Sequence, residues 1–372
     1  MREVAVIGAG KIGSTVVDLL TAFGGYRVRV IDACAEALAG LAARIKDGPV
    51  EIVAMGIDDP TKLAERIKGC FAVLNCAPYH LTVTVARAAA EAGAHYLDLT
   101  EDVASSRVTR ELSETAKTAF IPQCGLAPGF ITIAAWELAK QFDELHDVRL
   151  RVGALPRYPS NALNYNLTWS TDGVINEYCE PCEAIVNGCL REVPALEECE
   201  EFSLDGVTYE AFNTSGGLGT LCQTLDGKVR NLNYRTIRYP GHAAIMKALL
   251  VDLNLRNRRH ILKDILENAV PGTLQDVVIV FVTVSGMKDG RLMQETYVNK
   301  VYAQVVGGQM KSAIQITTAG AICAVLDMLA DGTLPQTGFI RQEEIPLADF
   351  LANRFGRFYA PQDDAALRAA AE

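Results

Sequence analysis

The chain has 372 residues and a net charge of −10, with 49% apolar and 22% charged residues. This length suits two domains with cores of their own, and the composition is that of a globular enzyme. The negative charge is spread along the chain, which argues against a nucleic-acid or anionic-membrane surface. No apolar run approaches the roughly 20 residues that span a bilayer. Met1 leads directly into the first predicted strand without a signal-peptide pattern, which favours a cytoplasmic location.

The first predicted element is an apolar strand at 4–7 that runs into Gly8-Ala9-Gly10-Lys11-Ile12-Gly13. The spacing G-x-G-x-x-G, followed by a helical pattern and a second strand at 28–31, indicates a turn that binds the pyrophosphate of a dinucleotide. Asp32 ends the second strand, nineteen residues after Gly13. An acid at this distance accepts the ribose hydroxyls of NAD and repels the 2′-phosphate of NADP, and no arginine stands beside it.

The sequence therefore predicts NAD as the cofactor, although a packing motif without a ligand has the same spacing. The expected cofactor contacts lie on this turn and at the ends of the first strands: Gly8, Gly10, Lys11, Ile12, Gly13, Asp32, Asp58, Ala77 and Pro78.

The alternation continues with predicted helices at 35–45, 62–68, 81–92 and 103–117 and strands at 51–55, 72–76, 96–99 and 120–124. Strands separated by helices of this length predict a Rossmann domain, a doubly wound parallel sheet of the α/β class. Ligands of such sheets lie beyond the carboxyl ends of the strands. The candidate site segments are therefore 77–80, 98–102 and 124–129.

From about residue 148 the pattern changes to strand-like runs at 148–152, 163–169, 202–204, 277–285 and 297–305. A glycine-rich loop at 214–219 and helical stretches at 243–253 and 261–269 separate them. This pattern predicts a second α+β domain with a mixed or antiparallel sheet. The helical stretches at 312–329 and 345–355 are expected to return to the first domain.

The expected organisation is a dinucleotide-binding domain of residues 1–126 and about 310–372, and a substrate-binding and dimerisation domain of residues 127–309. The apolar strand at 277–284 would be hazardous as an exposed edge or face. We therefore expect a homo-oligomer, most simply a dimer.

Ten cysteines in a chain without an export signal are expected to be reduced and mostly buried. Cys179-Glu180-Pro181-Cys182 is the only C-x-x-C, and no second pair or paired histidine completes a zinc spacing. We expect no metal site, and a redox or metal role of this pair is the alternative.

Several segments resemble the saccharopine dehydrogenase-like family, in that family's order along the chain. They are Val6-Ile7-Gly8-Ala9-Gly10-Lys11-Ile12-Gly13, Gly125-Leu126-Ala127-Pro128-Gly129-Phe130, Tyr165-Asn166-Leu167-Thr168-Trp169-Ser170 with Gly173-Val174-Ile175-Asn176-Glu177-Tyr178, and Thr236-Ile237-Arg238-Tyr239-Pro240-Gly241-His242. Within the family, the chain length and the segment 173–178 look most like the lysine 6-dehydrogenases. The resemblance implies an NAD-dependent enzyme of lysine degradation that oxidatively deaminates the ε-amino group of L-lysine. Its products would be ammonia and the 6-semialdehyde, which cyclises to piperideine-6-carboxylate.

The residues suit that chemistry independently, because hydride transfer needs an uncharged amine, and a base must therefore accept a proton from the ammonium. Asp98, Glu101 and His80 are the candidate catalytic residues, since they follow strand ends where the nicotinamide is expected. Each has a structural alternative. His80 would cap the helix that follows it, and Glu101 and Asp102 would favour the start of the next helix through its dipole.

An amino-acid substrate also has a carboxylate, which the planar fork of arginine matches. Arg238 is the candidate clamp, with Tyr234 and Thr236 on the same strand face by period-two spacing. A surface ion pair is the alternative for Arg238. Trp169 and His242 are expected to shape the pocket. Glu177 is a site for an ammonium or, as the favoured interpretation, a residue on an exposed face.

Two other functions fit parts of this pattern. A saccharopine reductase or carboxynorspermidine synthase would form a C–N bond reductively with NADPH, and Asp32 argues against it. A non-catalytic NAD-binding sensor belongs to a different class, and the number of ionisable residues at strand ends argues against it.

Overall fold

The structure is a computed structural model that describes residues 1–45 and 48–360. The first part of the chain alternates six strands with five helices. The strands are β1 Arg2–Ile7, β2 Tyr26–Asp32, β3 Val50–Ala54, β4 Ala72–Asn75, β5 His95–Asp98 and β6 Ala119–Ile121, and the helices are α1 Lys11–Phe23, α2 Ala35–Arg44, α3 Pro60–Ile67, α4 Thr82–Ala92 and α5 Val103–Ser113.

The second part of the chain is mostly strand. It begins with α6 Phe130–Ala139 and β7 Glu144–Pro156. There follow α7 Thr171–Glu177, β8 Cys182–Val186, β9 Cys189–Val193, β10 Glu200–Leu204, β11 Val207–Asn213, α8 Leu221–Leu225, β12 Val229–Arg238, α9 His242–Lys247, a π turn Ala248–Asp252, α10 Arg259–Ala269, β13 Asp276–Lys288, β14 Arg291–Tyr302, β15 Gln304–Val306 and β16 Gln309–Lys311.

The chain then returns to the first sheet through α11 Ala313–Asp331, β17 Gly338–Phe339 and α12 Leu347–Ala352. The first sheet has seven parallel strands in the order β17-β6-β5-β4-β1-β2-β3. The second is mixed, in the order β10-β11-β12-β7-β13-β14, with β8 and β9 attached to β12. The fold class expected from the sequence, a Rossmann sheet and a second α+β domain with a mixed sheet, is confirmed.

Helix α11 joins the two sheets. Its apolar side chains are buried in one core together with those of α1, α6 and both sheets. The buried carboxylate of Asp276, at the start of β13, accepts hydrogen bonds from the backbone N–H groups of Ala313 (2.5 Å) and Ile314 (3.0 Å) at the start of α11. The second sheet thus caps a helix that packs on the first. The division into 1–126 with 310–372 and 127–309 remains our proposal, and its residues 361–372 lie outside the described ranges.

Three expectations from the sequence need correction. Residues 163–169 are not a strand but an extended loop with one isolated bridge, between Leu167 and Gly272. Their alternating apolar side chains pack against α7, α9 and α10, so the period of two reflects burial on one side without strand pairing. Only part of 345–355 is helical, as α12. Strand β13 is no edge, because β7 and β14 pair with its two sides.

The expectation about apolar runs also needs correction. The 19-residue helix α11 is long and apolar enough to cross a membrane by length and composition, but 78% of its 18-residue apolar window is buried inside the fold. Its environment is therefore that of a core helix.

Candidate active site

The glycine turn closes tightly between β1 and α1. Gly8 has a positive φ of 97°, and a Cβ on Gly13 would lie 1.9 Å from the carbonyl oxygen of Gly8. Only glycine fits both places. Helix α1 therefore begins directly at the turn, and no side chain caps its first N–H groups. Free N–H groups at a helix start favour an anion, so the turn fits the pyrophosphate of a dinucleotide.

Asp32 holds this turn in place. Its Oδ2 accepts a hydrogen bond from the Ala9 N–H at 2.5 Å, and its Oδ1 accepts one from the Cys34 N–H at 2.7 Å. Each carboxylate oxygen has a further lone pair, so both remain able to accept ribose hydroxyls. Asp32 thus stands where the adenosine ribose of a dinucleotide belongs.

We expect Asp32→Ser to raise the Kd for NAD by about 10- to 100-fold, because two charge-assisted acceptors are lost. The preference for NAD over NADP should shrink with it, since the charge that repels the 2′-phosphate is removed. Titration of both cofactors by protein fluorescence measures the two constants, with exposed Glu36→Gln as the control. Equal affinity of the wild type for NAD and NADP would contradict the role of Asp32.

The other expected cofactor contacts lie at the same edge of the sheet. Lys11 is exposed and Ile12 half-buried in the first turn of α1, Asp58 is exposed after β3, and Ala77 and Pro78 follow β4. The Ala77 N–H donates to Asn75 Oδ1 at 3.1 Å, which fixes the path of the chain beside the glycine turn.

Asp98 ends β5 with no solvent exposure. Its Oδ1 accepts hydrogen bonds from the N–H groups of Thr100 (3.1 Å) and Gln123 (2.8 Å), whereas its buried Oδ2 has no partner among the described residues. Burial raises the pKa of Asp98 to about 6, against the lowering effects of the two amides and then of the Tyr96 hydroxyl. A buried carboxyl with one free oxygen and a pKa near neutrality is suited to accept a proton.

The two other catalytic candidates occupy different environments. His80 is exposed on the short 3₁₀ turn Tyr79–Leu81. Glu101 lies beside Asp98, and burial, followed by the charges of Asp102 and Asp98, raises the pKa of Glu101. The N-terminus of α5 is capped by Asp102, whose Oδ2 accepts from the Ser105 N–H at 2.7 Å. The structural role considered for Glu101 therefore belongs to Asp102.

Arg238 ends β12 and is only 2% exposed. Its Nε donates to the Tyr178 hydroxyl at 3.0 Å and its Nη1 to the Ile237 carbonyl at 2.9 Å, while Nη2 makes no hydrogen bond among the described residues. No carboxylate in that part of the chain forms an ion pair with it. The alternative of a surface ion pair is therefore wrong, and a buried guanidinium with a free N–H edge is suited to bind a carboxylate.

A hydrogen-bond chain fixes the orientation of Arg238. The Leu163 carbonyl accepts from His242 Nδ1 at 2.9 Å, so Nδ1 carries the hydrogen and Nε2 accepts from the Tyr178 hydroxyl at 3.1 Å. Burial, and then the charge of Arg238, lowers the pKa of His242 to about 3, which keeps the imidazole neutral. His242 therefore acts on the pocket through Tyr178.

The remaining expected substrate contacts are two residues of β12 and one that precedes α7. Tyr234, Thr236 and Arg238 alternate along β12 and all are buried, and Thr236 Oγ1 is 2.7 Å from Thr214 Oγ1. Trp169 is half-buried, and a Cβ on Gly173 would lie 2.3 Å from its ring.

Two further hydroxyls are buried without hydrogen-bond partners among the residues that the structure describes. They belong to Tyr165, whose ring centre is 5.1 Å from the Arg238 Cζ, and to Thr168. Orphaned polar atoms beside a free guanidinium edge are the lining expected of a pocket for a polar ligand.

Glu177 was expected on an exposed face, and this is wrong, because it is 7% exposed. Burial, followed by the charge of Glu101, raises its pKa well above the usual range, and Arg238 lowers it. A series of charged side chains thus runs from the first domain to the second, and each affects the pKa of the next. Its members are Asp98, Glu101, Glu177 and Arg238. No local sequence signal indicated this burial, because helix α7 is buried by packing against distant parts of the chain.

No group of three or more His, Cys, Asp or Glu within 1–45 and 48–360 is arranged to hold a metal ion. All ten cysteines are free thiols. Cys179 and Cys182 are buried, and burial raises the pKa of both.

Comparison with known proteins covers nearly the whole chain. The family model described as the saccharopine dehydrogenase NADP binding domain matches residues 4–143, and that described as the saccharopine dehydrogenase C-terminal domain matches residues 125–357. The fold is similar to saccharopine dehydrogenase (L-Glu forming) from Saccharomyces cerevisiae, with a TM-score of 0.74 and 16% identity over 92% of this chain and 94% of that chain. It is also similar to homospermidine synthase from Legionella pneumophila, solved in complex with NAD, with a TM-score of 0.65 and 11% identity over 97% of this chain and 90% of that chain.

Proposed function

We propose that this chain, which belongs to the saccharopine dehydrogenase family, oxidatively deaminates the ε-amino group of L-lysine with NAD. Membership of the family makes it an NAD(P)-dependent oxidoreductase. The choice of lysine as substrate is supported by the buried Arg238, which has a free N–H edge and no carboxylate partner in the described chain. It is also supported by the series of charged groups that runs from Arg238 to Asp98 at the end of a parallel strand.

Arg238 would bind the α-carboxylate, and Tyr178 and His242 would hold the guanidinium in that orientation. The lysine side chain would then extend toward the strand ends, where Asp98 lies. NAD, when bound across the glycine turn, supplies the hydride acceptor.

Asp98 Oδ2 would accept the proton that the ε-ammonium must lose before hydride leaves the ε-carbon. Loss of that hydride converts the neutral amine into an iminium cation, because the nitrogen keeps both of its hydrogens. Water adds to the iminium carbon, and ammonia then leaves with the extra proton, as ammonium, to give the 6-semialdehyde. Asp98 has no solvent exposure, which keeps bulk water away from its carboxylate.

Turnover with a panel of amines tests this function. The wild type is mixed with NAD and L-lysine, L-ornithine or cadaverine, and NADH formation is followed by absorbance. We expect the highest kcat/KM with lysine. No turnover of any amine despite NAD binding would indicate a sensor, and NADPH consumption with an aldehyde and a second amino acid would indicate reductive C–N bond formation.

We further propose that the chain forms a homodimer through its second domain. The argument from β13 does not hold, but β14 pairs on one side only within residues 1–45 and 48–360, and it exposes Leu292 and Met293. Exposed apolar side chains on an edge strand favour a partner surface. Light scattering at micromolar concentration should give twice the chain mass of 40.2 kDa. The monomer mass would contradict the proposal.

A further inference from the structure

Hydrogen bonds fix both ends of helix α7, which carries Glu177. The Ser170 hydroxyl accepts a hydrogen bond from the Gly173 N–H at 3.2 Å and starts the helix, and the Glu177 carbonyl at its end accepts from the Ser215 N–H at 3.1 Å. No described residue makes a hydrogen bond or ion pair with the Glu177 carboxylate, although only 7% of the residue is exposed.

The loop at 214–219 brings Glu177 close to Glu101 of the first domain. A Cβ on Gly216 would lie 2.8 Å from both the Cβ and the carbonyl oxygen of Glu101, so the loop packs directly on that residue. Neighbouring residues Ser215 and Gly216 thus contact the two glutamates. Glu101 and Glu177 belong to different domains, and burial followed by the charge of Glu101 raises the pKa of Glu177.

Arg238 carries a positive charge near Glu177. Tyr178, the next residue in the chain after Glu177, accepts a hydrogen bond from Arg238 Nε. Burial raises the pKa of Glu177 and the charge of Arg238 lowers it, yet the two side chains form no ion pair. A buried carboxyl and a buried guanidinium are costly when they remain without partners. A ligand that carries a carboxylate and an ammonium on one carbon would pair both.

We propose that Glu177, with Glu101 beside it, binds the α-ammonium of the substrate while Arg238 binds its α-carboxylate. This inference rests on the proposed function and deepens it, because it makes the zwitterionic head group of an α-amino acid the feature that the site recognises. Asp98 then serves the reacting amine alone. A substrate with a carboxylate and a terminal amine, but no α-ammonium, would leave Glu177 unpaired.

Turnover of L-lysine and 6-aminohexanoate tests this, because the two differ only by the α-ammonium. We expect Glu177→Gln to lower kcat/KM for lysine by about 10- to 100-fold, since a charge-assisted hydrogen bond is lost. The value for 6-aminohexanoate should change by less than about threefold. Glu201→Gln, on an exposed position of β10, is the matched control and should leave both values unchanged. If Glu177→Gln lowers kcat/KM equally for both substrates, Glu177 has a structural role and the inference is overturned.

Calorimetric binding to the NAD-loaded wild type provides a test that does not depend on turnover. L-norleucine has the head group of an amino acid and hexanoate has only the carboxylate, and neither has an ε-amine. We expect norleucine to bind at least about tenfold more tightly than hexanoate, and Glu177→Gln to remove the difference. Equal binding of the two by the wild type overturns the inference. A wild type that discriminates between them, yet does not oxidise lysine, contradicts the proposed function and leaves the head-group assignment supported.

Discussion

Arg238→Ala is expected to lower kcat/KM for L-lysine roughly 30- to 4,000-fold, which corresponds to a loss of about 2 to 5 kcal/mol of transition-state stabilisation. The buried α-carboxylate would lose two charge-assisted hydrogen bonds, and the ε-carbon would no longer be held at a fixed distance from the nicotinamide. Cadaverine, which lacks the carboxylate, should be a poor substrate of the wild type. Its kcat/KM should fall little further in the variant. The lysine-to-cadaverine ratio of kcat/KM is therefore the quantity to measure.

Arg230→Ala provides the control for this experiment, because Arg230 lies on the same strand with an exposed side chain. Arg238→Lys adds a second comparison, since it keeps the charge and loses the planar fork. We expect Arg238→Lys to recover only part of the lysine-to-cadaverine ratio of kcat/KM that Arg238→Ala loses. An unchanged ratio in Arg238→Ala would show that Arg238 does not bind the carboxylate.

Asp98→Asn is expected to lower kcat by about 10² to 10⁴-fold while the Kd for NAD changes little, because the variant loses the base and keeps the fold. Asparagine retains an oxygen for the N–H groups of Thr100 and Gln123. Asp102→Asn is the neighbouring control, since asparagine caps a helix as well as aspartate does. A variant with full turnover would exclude Asp98 as the base.

The pH dependence of the wild type follows from two groups. With the pKa of Asp98 at about 6, its carboxylate is available above that pH. The ε-ammonium of lysine has a pKa of about 10.4, so the fraction of reactive amine rises into the alkaline range. We expect an alkaline optimum in the wild type. A rate that is flat from neutral to alkaline pH would show that deprotonation does not limit the reaction.

Asp98 also affects stability, with a sign opposite to that of a paired carboxylate. Its pKa rises from 3.8 to about 6 on folding, so the native state holds the proton more tightly than the unfolded state. Stability from this group is therefore present below about pH 4 and is lost as the pH rises through 6. Urea unfolding should show Asp98→Asn more stable than the wild type at pH 7, by on the order of 3 kcal/mol. The difference should vanish near pH 4.

Local chemistry was readable from the sequence. The glycine turn and Asp32 lie within one strand-helix-strand unit, where short-range sterics decide the structure. Tyr234, Thr236 and Arg238 were assigned to one strand face by period two, and all three are buried on β12. Asp98 was predicted at the end of an apolar strand, and it ends β5.

The features that could not be predicted from the sequence depend on packing between distant parts of the chain. Glu177 ends a seven-residue helix whose burial depends on a loop 38 residues later, at Ser215. Its carboxylate therefore gave no local sign of being inside. Residues 163–169 alternate like a strand because they cover one side of a helical cluster. The sequence also did not predict that Asp32 fixes the glycine turn, because its hydrogen bond from the Ala9 N–H forms only when the turn closes.

The claim that the ε-nitrogen of lysine is the one removed is tested most directly by isotope labelling. The wild type is incubated with NAD and either L-[ε-¹⁵N]lysine or L-[α-¹⁵N]lysine, and the released ammonia is analysed by mass spectrometry beside the NADH formed. We predict labelled ammonia from the ε-labelled substrate only, in a one-to-one ratio with NADH. Labelled ammonia from the α-labelled substrate, or NADH without ammonia, would contradict the account.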